Sequence, residues 1–443
     1  MLNTKKVKME TFGCQMNKSD SEKILGLLAT IGYEPTELEE DADLVVINTC
    51  SIRENAVQRL VGHLGNYKKL KRFNPDLILS VGGCVPQHEK ENIRKKAPFV
   101  DIVFGSQNFN KIHEIVQKFE ENRKPVVSII DKGNIFEDEM PTRRDEKHHA
   151  WVTIMNGCSR YCTYCIVPYV RGNEVSRKPE SIINEIEVAV ANGCKEVTLL
   201  GQIIDLYGRD LRPKLNFEEL LYKIHDIEGL ERIKFVTSHP NYMTKSLVDT
   251  VAKLDKLCEY FHLPIQSGNN EILKKMNRRY TLEDYEEIVN YIRTKIPDAA
   301  ITSDLIVGFP TETEEQFMDT VNCAIKFRFD AVNTAAYSIR PGTVAGAMDG
   351  QIDELTKNIR LNELNKVVQE MAKTKNKERI GKIENLLVTG YNEKKGNYYG
   401  RTRGARLVHF KADDSLIGQF VNVRVTDGTR SSLRGELVTD LEV

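Results

Sequence analysis

Three apolar runs that each lead into a cysteine constrain this chain more than any other feature. VKMETFG precedes Cys14, LVVINT precedes Cys50 and LILSVGG precedes Cys84. Runs of this length, rich in β-branched residues, read as buried strands. The three thiols therefore fall at the carboxyl ends of three strands, where open α/β sheets bind ligands. Taken singly, each is also a candidate buried small hydrophobe, because free cysteine is among the most buried residue types.

A second triplet is local. Cys158-x3-Cys162-x2-Cys165, in NGCSRYCTYCIVPYVRG, lets one loop present three thiolates to one metal centre. Two soft three-thiolate sites suggest two iron-sulfur clusters, each with one iron left open for chemistry. A structural zinc site completed by Cys194, His148 or His149 is the competing reading, although none of them stands at a usual zinc-ligand spacing. Disulfides fit poorly, because odd triplets do not pair off and the chain opens MLNTKKVKME without an apolar signal segment. A reducing, cytoplasmic setting is expected.

The 443 residues, 40% of them hydrophobic, are enough for two or three domains with real cores. No apolar stretch approaches the roughly 20 residues that cross a bilayer. With 63 basic and 64 acidic residues, net charge is silent about partners, and only its distribution informs. Residues 1–122 alternate short strands with helices such as SDSEKILGLLATIG and SIRENAVQRLVGHLGNYKKLKRF, the βαβ pattern of a parallel sheet. Residues 123–149, polar and charged toward the end, read as a linker. Residues 150–376 offer six strands, at WVTIMN, EVTLLG, RIKFVTS, EYFHLP, AAITSDLIVGFP and DAVNTAAYS, which suggest a partial (βα)6 barrel rather than an eightfold one. The charged helix DELTKNIRLNELNKVVQEMAKTKNKERIG then leads to residues 377–443, whose short alternating runs predict a small antiparallel β-barrel.

In that last region KKGNYYGRTRGARLVHFK carries Lys394, Lys395, Arg401, Arg403, Arg406 and Lys411, with Tyr398, Tyr399 and Phe410 interleaved and no acidic residue. Cations that track phosphates beside rings that stack on bases are what single-stranded nucleic-acid binding uses. A solvated strand face is the plainer reading of the same run.

These motifs together resemble one family. The close-spaced triplet resembles the signature of radical S-adenosylmethionine enzymes, and its union with an N-terminal three-cysteine domain and a C-terminal TRAM-like barrel is similar to the methylthiotransferases. TFGCQMNKSDSE, INTCSIRENA, GGCVPQ, NGCSRYCTYCIVPYVRGNEVSR, VTSHP, LPIQSGNNEILKKMNRRYT, SDLIVGFPTET and YSIRPGT resemble the MiaB branch. The resemblance spans essentially the whole chain. It implies a tRNA-modifying enzyme that converts N6-isopentenyladenosine, next to the anticodon, to its 2-methylthio derivative. It further implies two 4Fe-4S clusters and S-adenosyl-L-methionine, with Cys158, Cys162 and Cys165 holding the radical-generating cluster and Cys14, Cys50 and Cys84 the sulfur-donor cluster. One S-adenosylmethionine would supply the methyl group and another the radical. An electron donor such as flavodoxin or ferredoxin and a cluster-assembly or carrier protein are the implied partners besides tRNA. Two departures stand out: the family's GQNV reads Gly201-Gln202-Ile203-Ile204, and RTRGARL lacks the Asn expected near Ala405.

Supporting residues follow from position. Tyr164, between two cluster cysteines, is placed to pack on the adenine of the cofactor, or equally to be a core aromatic. Gly201 and Gln202 end the second barrel strand and Ser238 and His239 the third, where barrel enzymes carry functional groups. A structural histidine is the bland reading for His239. Asp304 and Gly308 flank the apolar part of the fifth strand and border the expected adenosine site, with strand packing the alternative for Gly308. Arg171 and Arg177 follow the cluster loop, to meet phosphate, carboxylate or a surface ion pair. Two other functional classes remain open: a methylthiotransferase acting on threonylcarbamoyl-adenosine or a ribosomal protein, and a non-catalytic metal-cluster RNA-binding protein.

Overall fold

The computed structural model describes residues 4–438 except 52–55, 132, 134, 135, 137–139 and 414. Part of the motif after Cys50 and part of the expected linker therefore lie outside the described residues.

The apolar runs form a six-stranded parallel sheet of β1 (Lys5–Phe12), β2 (Tyr33–Pro35), β3 (Leu44–Thr49), β4 (Ile78–Gly83), β5 (Ile102–Phe104) and β6 (Val126–Ser128), in the order β2-β1-β3-β4-β5-β6. The run LVVINT is continuous because both faces of β3 are covered. Leu44 and Val46 face one core with Ile24 and Leu28, while Val45 and Ile47 face another with Leu60 and Leu64. β6 extends this sheet past residue 122, inside the stretch read as linker.

The first helix, α1 (Gln15–Ala29), departs from the amphipathic pattern expected of it. Nearly all of it is buried, including Asn17, Ser19, Asp20, Glu22 and Lys23. Its polar face meets the second domain instead of water: Ser19 Oγ accepts from Thr153 Oγ1 at 3.0 Å, and Arg144 binds both Glu22, at 3.3 Å, and Glu185, at 2.8 Å. Buried polar groups persist where partners satisfy them, and here the partners come from another domain.

All six expected barrel strands are present. They are β7 (His149–Thr153), β10 (Glu196–Leu200), β11 (Arg232–Phe235), β12 (Tyr260–His262), β13 (Ala300–Val307) and β14 (Ala331–Ala336), and a short antiparallel pair, β8 (Met155–Asn156) with β9 (Val175–Ser176), leaves the first of them. The sheets β7-β10-β11 and β12-β13-β14 are parallel and meet at the Ile233–Leu257 bridge, which gives an open six-stranded barrel.

A closed barrel of β15 (Ile383–Asn392), β16 (Asn397–Thr402), β17 (Leu407–Lys411), β18 (Phe420–Gly428) and β19 (Leu433–Leu437) completes the chain, in the order β15-β16-β17-β19-β18. It is not wholly antiparallel, because β17 and β19 pair in parallel. It docks on the amino ends of the larger barrel's strands. Arg232, the first residue of β11, donates to Asn385 O at 2.8 Å and to Arg401 O at 3.2 Å. The departures from the family pattern are local: Ile203 and Ile204 join the main core, and Ala405 adopts φ +62°, a left-handed conformation that Asn tolerates better.

Candidate active site

Register gathers the dispersed thiols. Phe12 pairs with Thr49 and Thr49 with Gly83, so Cys14, Cys50 and Cys84 emerge together from three adjacent strands. Close backbone approach finishes the assembly. A Cβ on Gly13 would lie 2.8 Å from Cys50 Cβ, and Gly83, at φ +98°, turns the chain so tightly that a Cβ would meet Thr49 O at 2.3 Å. The three cysteines line one small cavity with Asn17, Arg171 and Gln202. Interaction with Cys50, aided by the Arg171 guanidinium, lowers the Cys14 thiol to about 6, whereas burial pushes Cys84 up.

The local triplet is held by its own loop. Cys158 N donates to Gly172 O at 2.8 Å, Cys165 N to Cys162 O at 2.9 Å, and Thr163 N to Met276 O at 3.1 Å. Arg278 Nη1 stands 3.5 Å from Cys162 Sγ. Burial, followed by the backbone hydrogen bond and neighbouring groups, leaves Cys158 raised to about 11; burial and the neighbouring Cys162 push Cys165 to about 12. A metal bound by these thiols would have to displace protons.

Each thiol set has a guanidinium close by, Arg171 in the cavity of Cys14, Cys50 and Cys84 and Arg278 beside Cys162, and a guanidinium there would offset the negative charge of a thiolate-bound cluster. The zinc reading fails on geometry. Cys194 Sγ is bound to Glu196 O at 3.2 Å, His149 Nε2 to Thr198 Oγ1 at 2.9 Å and His148 Nδ1 to Gly193 O at 3.3 Å, all at the amino ends of β7 and β10, away from the loop.

The seam between the triplets is shared. Cys84 packs with Ile166 and Val170 in one buried cluster, and Ile166 directly follows Cys165. Arg171 and Arg177 both meet carboxylates, but in the interior and not on the surface: Arg171 Nη2 binds Asp20 Oδ2 at 2.7 Å, and Arg177 binds Glu185. Gln202 reaches from the end of β10 into the cavity of Cys14, with Nε2 2.5 Å from Met16 Sδ and Oε1 buried without a hydrogen-bond partner among the described residues. That reach across domains has no local sequence signal.

The other expected cofactor positions are scattered around the same end of the barrel. Tyr164 packs on Ile272, Met276, Phe309 and Tyr337. Gly201 is backed by Met155, whose Cγ would lie 2.6 Å from an added Cβ. Ser238 is buried beside Asp205, whose carboxyl burial raises to about 7. His239 is driven down to about 2 by burial and by Arg278 and Arg160, which keeps it neutral between Tyr242 and Tyr280. Asp304 pairs with His262 at 3.4 Å and accepts from Asn333 at 2.9 Å. Gly308 serves packing: at φ +69°, an added Cβ would sit 2.3 Å from Lys357 Cγ.

The basic run divides. Arg403 binds Glu259 through Nε at 2.8 Å and Nη2 at 2.7 Å, Arg406 binds Asp330, and both tie the small barrel to the large one. Phe410 is core, not a stacking surface. Lys394, Lys395 and Arg401 remain exposed. Arg401 and Tyr399 line a cavity of about 840 Å³ that all three domains share and that reaches Cys14, Lys18, Trp151 and Lys234. Its volume is that of a small-molecule site.

Three family models match in succession: uncharacterized protein family UPF0004 over residues 6–105, the Radical SAM superfamily over 152–324 and the TRAM domain over 377–438. The tRNA-2-methylthio-N(6)-dimethylallyladenosine synthase of Thermoanaerobacter pseudethanolicus is 46% identical over 97% of this chain and 92% of its own length. The synthase of the same name from Clostridium botulinum is 46% identical over 98% and 99%. Among solved structures, the radical S-adenosylmethionine methyltransferase TsrM from Kitasatospora setae shares the fold at TM-score 0.57 and 15% identity, over 77% of this chain and 75% of that one. Among the described residues no helix is long and apolar enough to cross a membrane. The chain belongs to the tRNA-2-methylthio-N(6)-dimethylallyladenosine synthase family, radical S-adenosylmethionine methylthiotransferases that modify tRNA using S-adenosylmethionine and 4Fe-4S clusters.

Proposed function

We propose that this chain adds a methylthio group to C2 of N6-isopentenyladenosine beside the anticodon, with separate residues for radical generation and sulfur donation. An aromatic C–H is too weak an acid for a tuned side-chain base, so proton abstraction by His, Glu or Lys does not open it. Cys158, Cys162 and Cys165 would hold the radical-generating cluster, and Cys14, Cys50 and Cys84 the sulfur donor. When bound, these groups and two S-adenosylmethionine molecules supply the radical, the sulfur and the methyl group. The chain's own work is placement. Arg278 and Arg171 balance charge beside the two thiol sets, Gln202 spans the seam, and the shared cavity admits an unpaired loop nucleotide, which needs little energy to splay out.

The observation that carries this reading is the contact of Cys84 with Ile166, next in sequence to Cys165, because sulfur transfer requires adjacent centres. Lys394, Lys395 and Arg401 are the proposed phosphate contacts. A low-potential carrier such as flavodoxin or ferredoxin would deliver electrons, a cluster-assembly or carrier protein would rebuild the donor, and the setting would be cytoplasmic. The test incubates anaerobically reconstituted protein with reductant, S-adenosylmethionine and anticodon stem-loop RNA with or without the isopentenyl group. Mass spectrometry should find methylthio product only from the isopentenylated RNA, and equal yield from both overturns the substrate assignment.

A further inference from the structure

Trp151 is the one tryptophan of this chain, and it stands partly exposed in β7. It lines the 840 Å³ cavity together with Cys14, Gln15 and Lys18. His149 meets it edge-on, with ring centroids 4.4 Å apart, and Lys18 Nζ lies 5.9 Å from its centroid. The platform is composite: Lys18 comes from α1, Trp151 from the barrel, and Ser19 Oγ donates to Trp151 O at 3.4 Å. Among the described residues no carboxylate forms an ion pair with Lys18, although the polar residues that follow it on α1 are paired.

An aromatic face beside an ammonium that forms no ion pair among the described residues, both lining one cavity, is the equipment for holding a nucleotide, because every base has a π-face and its phosphate seeks a cation. We propose that Trp151 is the platform on which the target purine stacks and that Lys18 takes an adjoining phosphate, an inference that rests on the tRNA reading above. The stacked base shares its cavity with Cys14, and the RNA leaves past Tyr399 and Arg401.

The single tryptophan provides the readout. Isopentenylated anticodon stem-loop is titrated into the cluster-loaded protein while Trp emission is followed, and the anisotropy of a labelled stem-loop confirms saturation. Emission should change on binding. Trp151→Leu should weaken binding roughly tenfold or more, with Trp151→Phe losing less than about threefold, as stacking requires. Lys18→Ala should lower the slope of log affinity against log salt by about 0.7, one phosphate contact. Unchanged emission at saturation in the unmodified protein, or a Trp151→Leu protein with full cluster absorbance and undiminished affinity, overturns the proposal. An unchanged salt slope removes Lys18 from it. The outcome is separable from that of the proposed reaction. RNA that alters Trp emission without being methylthiolated defeats the reaction and keeps the platform, whereas methylthiolation with silent Trp151 does the reverse.

Discussion

Cys158, Cys162 and Cys165 lie within eight residues of one loop, whereas Cys14, Cys50 and Cys84 meet only because β1, β3 and β4 are neighbours in register. The first set needs a loop clasped by a few backbone hydrogen bonds. The second needs an entire sheet, and a one-residue slip in β3 would send Cys50 to the opposite face. The second set also borrows Arg171 and Gln202 from the other domain. A site built by one loop is robust to domain movement, and a site built across a seam reports on it.

The sharpest way to break this comparison is to remove one thiol from each set. Cys162→Ala should abolish 5'-deoxyadenosine formation. Cys50→Ala should leave uncoupled cofactor cleavage while stopping methylthio product, both read by mass spectrometry. Equal loss of both activities in the two variants refutes the division of roles.

The seam itself comes next. Arg171→Met strands Asp20 in the interior, and breaking a buried pair this way typically costs about 3 to 5 kcal/mol. Denaturant unfolding should show that loss, with partial recovery in Arg171→Met/Asp20→Asn. Iron per chain should fall as the dispersed set loses its cation. A variant as stable as the parent would show that the two domains do not depend on this pair.

The basic run should split into two phenotypes. Arg403→Ala and Arg406→Ala should loosen the small barrel and speed proteolysis near residue 377, leaving the salt dependence of RNA binding intact. Lys394→Ala with Lys395→Ala should do the opposite, with a slope loss of about 0.7 per phosphate released. Proteolysis and slope changing together in both variants would erase the distinction.

The smallest effect is on pH. Burial raises Glu22 to about 7 despite Arg144, so its contribution to stability is whole below the ordinary carboxylate range and is lost as pH climbs through about 7. Glu185 runs the other way. Burial opposes its ionisation, but Lys23, Arg177 and Arg144 hold it at about 2, and its contribution is lost only as pH falls through that region. The melting midpoint should therefore drop between pH 5 and 8, and Glu22→Gln should shrink that drop. An equal drop in the variant would clear Glu22 of responsibility.

Elements written in local pattern were legible. The strands before Cys50 and Cys84 are continuous apolar runs because parallel strands are covered on both faces, whereas β1 carries Lys6, Lys8 and Glu10 and buries only Val7. The barrel divides in the same way: β10 is buried along its whole length, and β14 buries none of its residues. β16 is harder to read, because NYYGRT carries the rings and cation of a nucleic-acid surface while its Tyr398 packs on the barrel core that includes Phe410. Arg403 and Arg406 illustrate a related limit: a sequence shows a cation but not the carboxylate of another domain that pairs with it. The buried polar face of α1 follows the same rule, since its partners lie more than a hundred residues away.

The order of the chain thus determined by itself which residues form strands, which three thiols share one loop, and which family the motifs match, because these depend on neighbours along the backbone. Only the tertiary structure decided that Cys84 touches Ile166, that Gln202 and Arg171 line one cavity with the distant thiols, and that Trp151 and Lys18 share another with Cys14. Those facts arise from how two domains close on each other, and the charge, burial and reach that closure creates have no trace in local spacing.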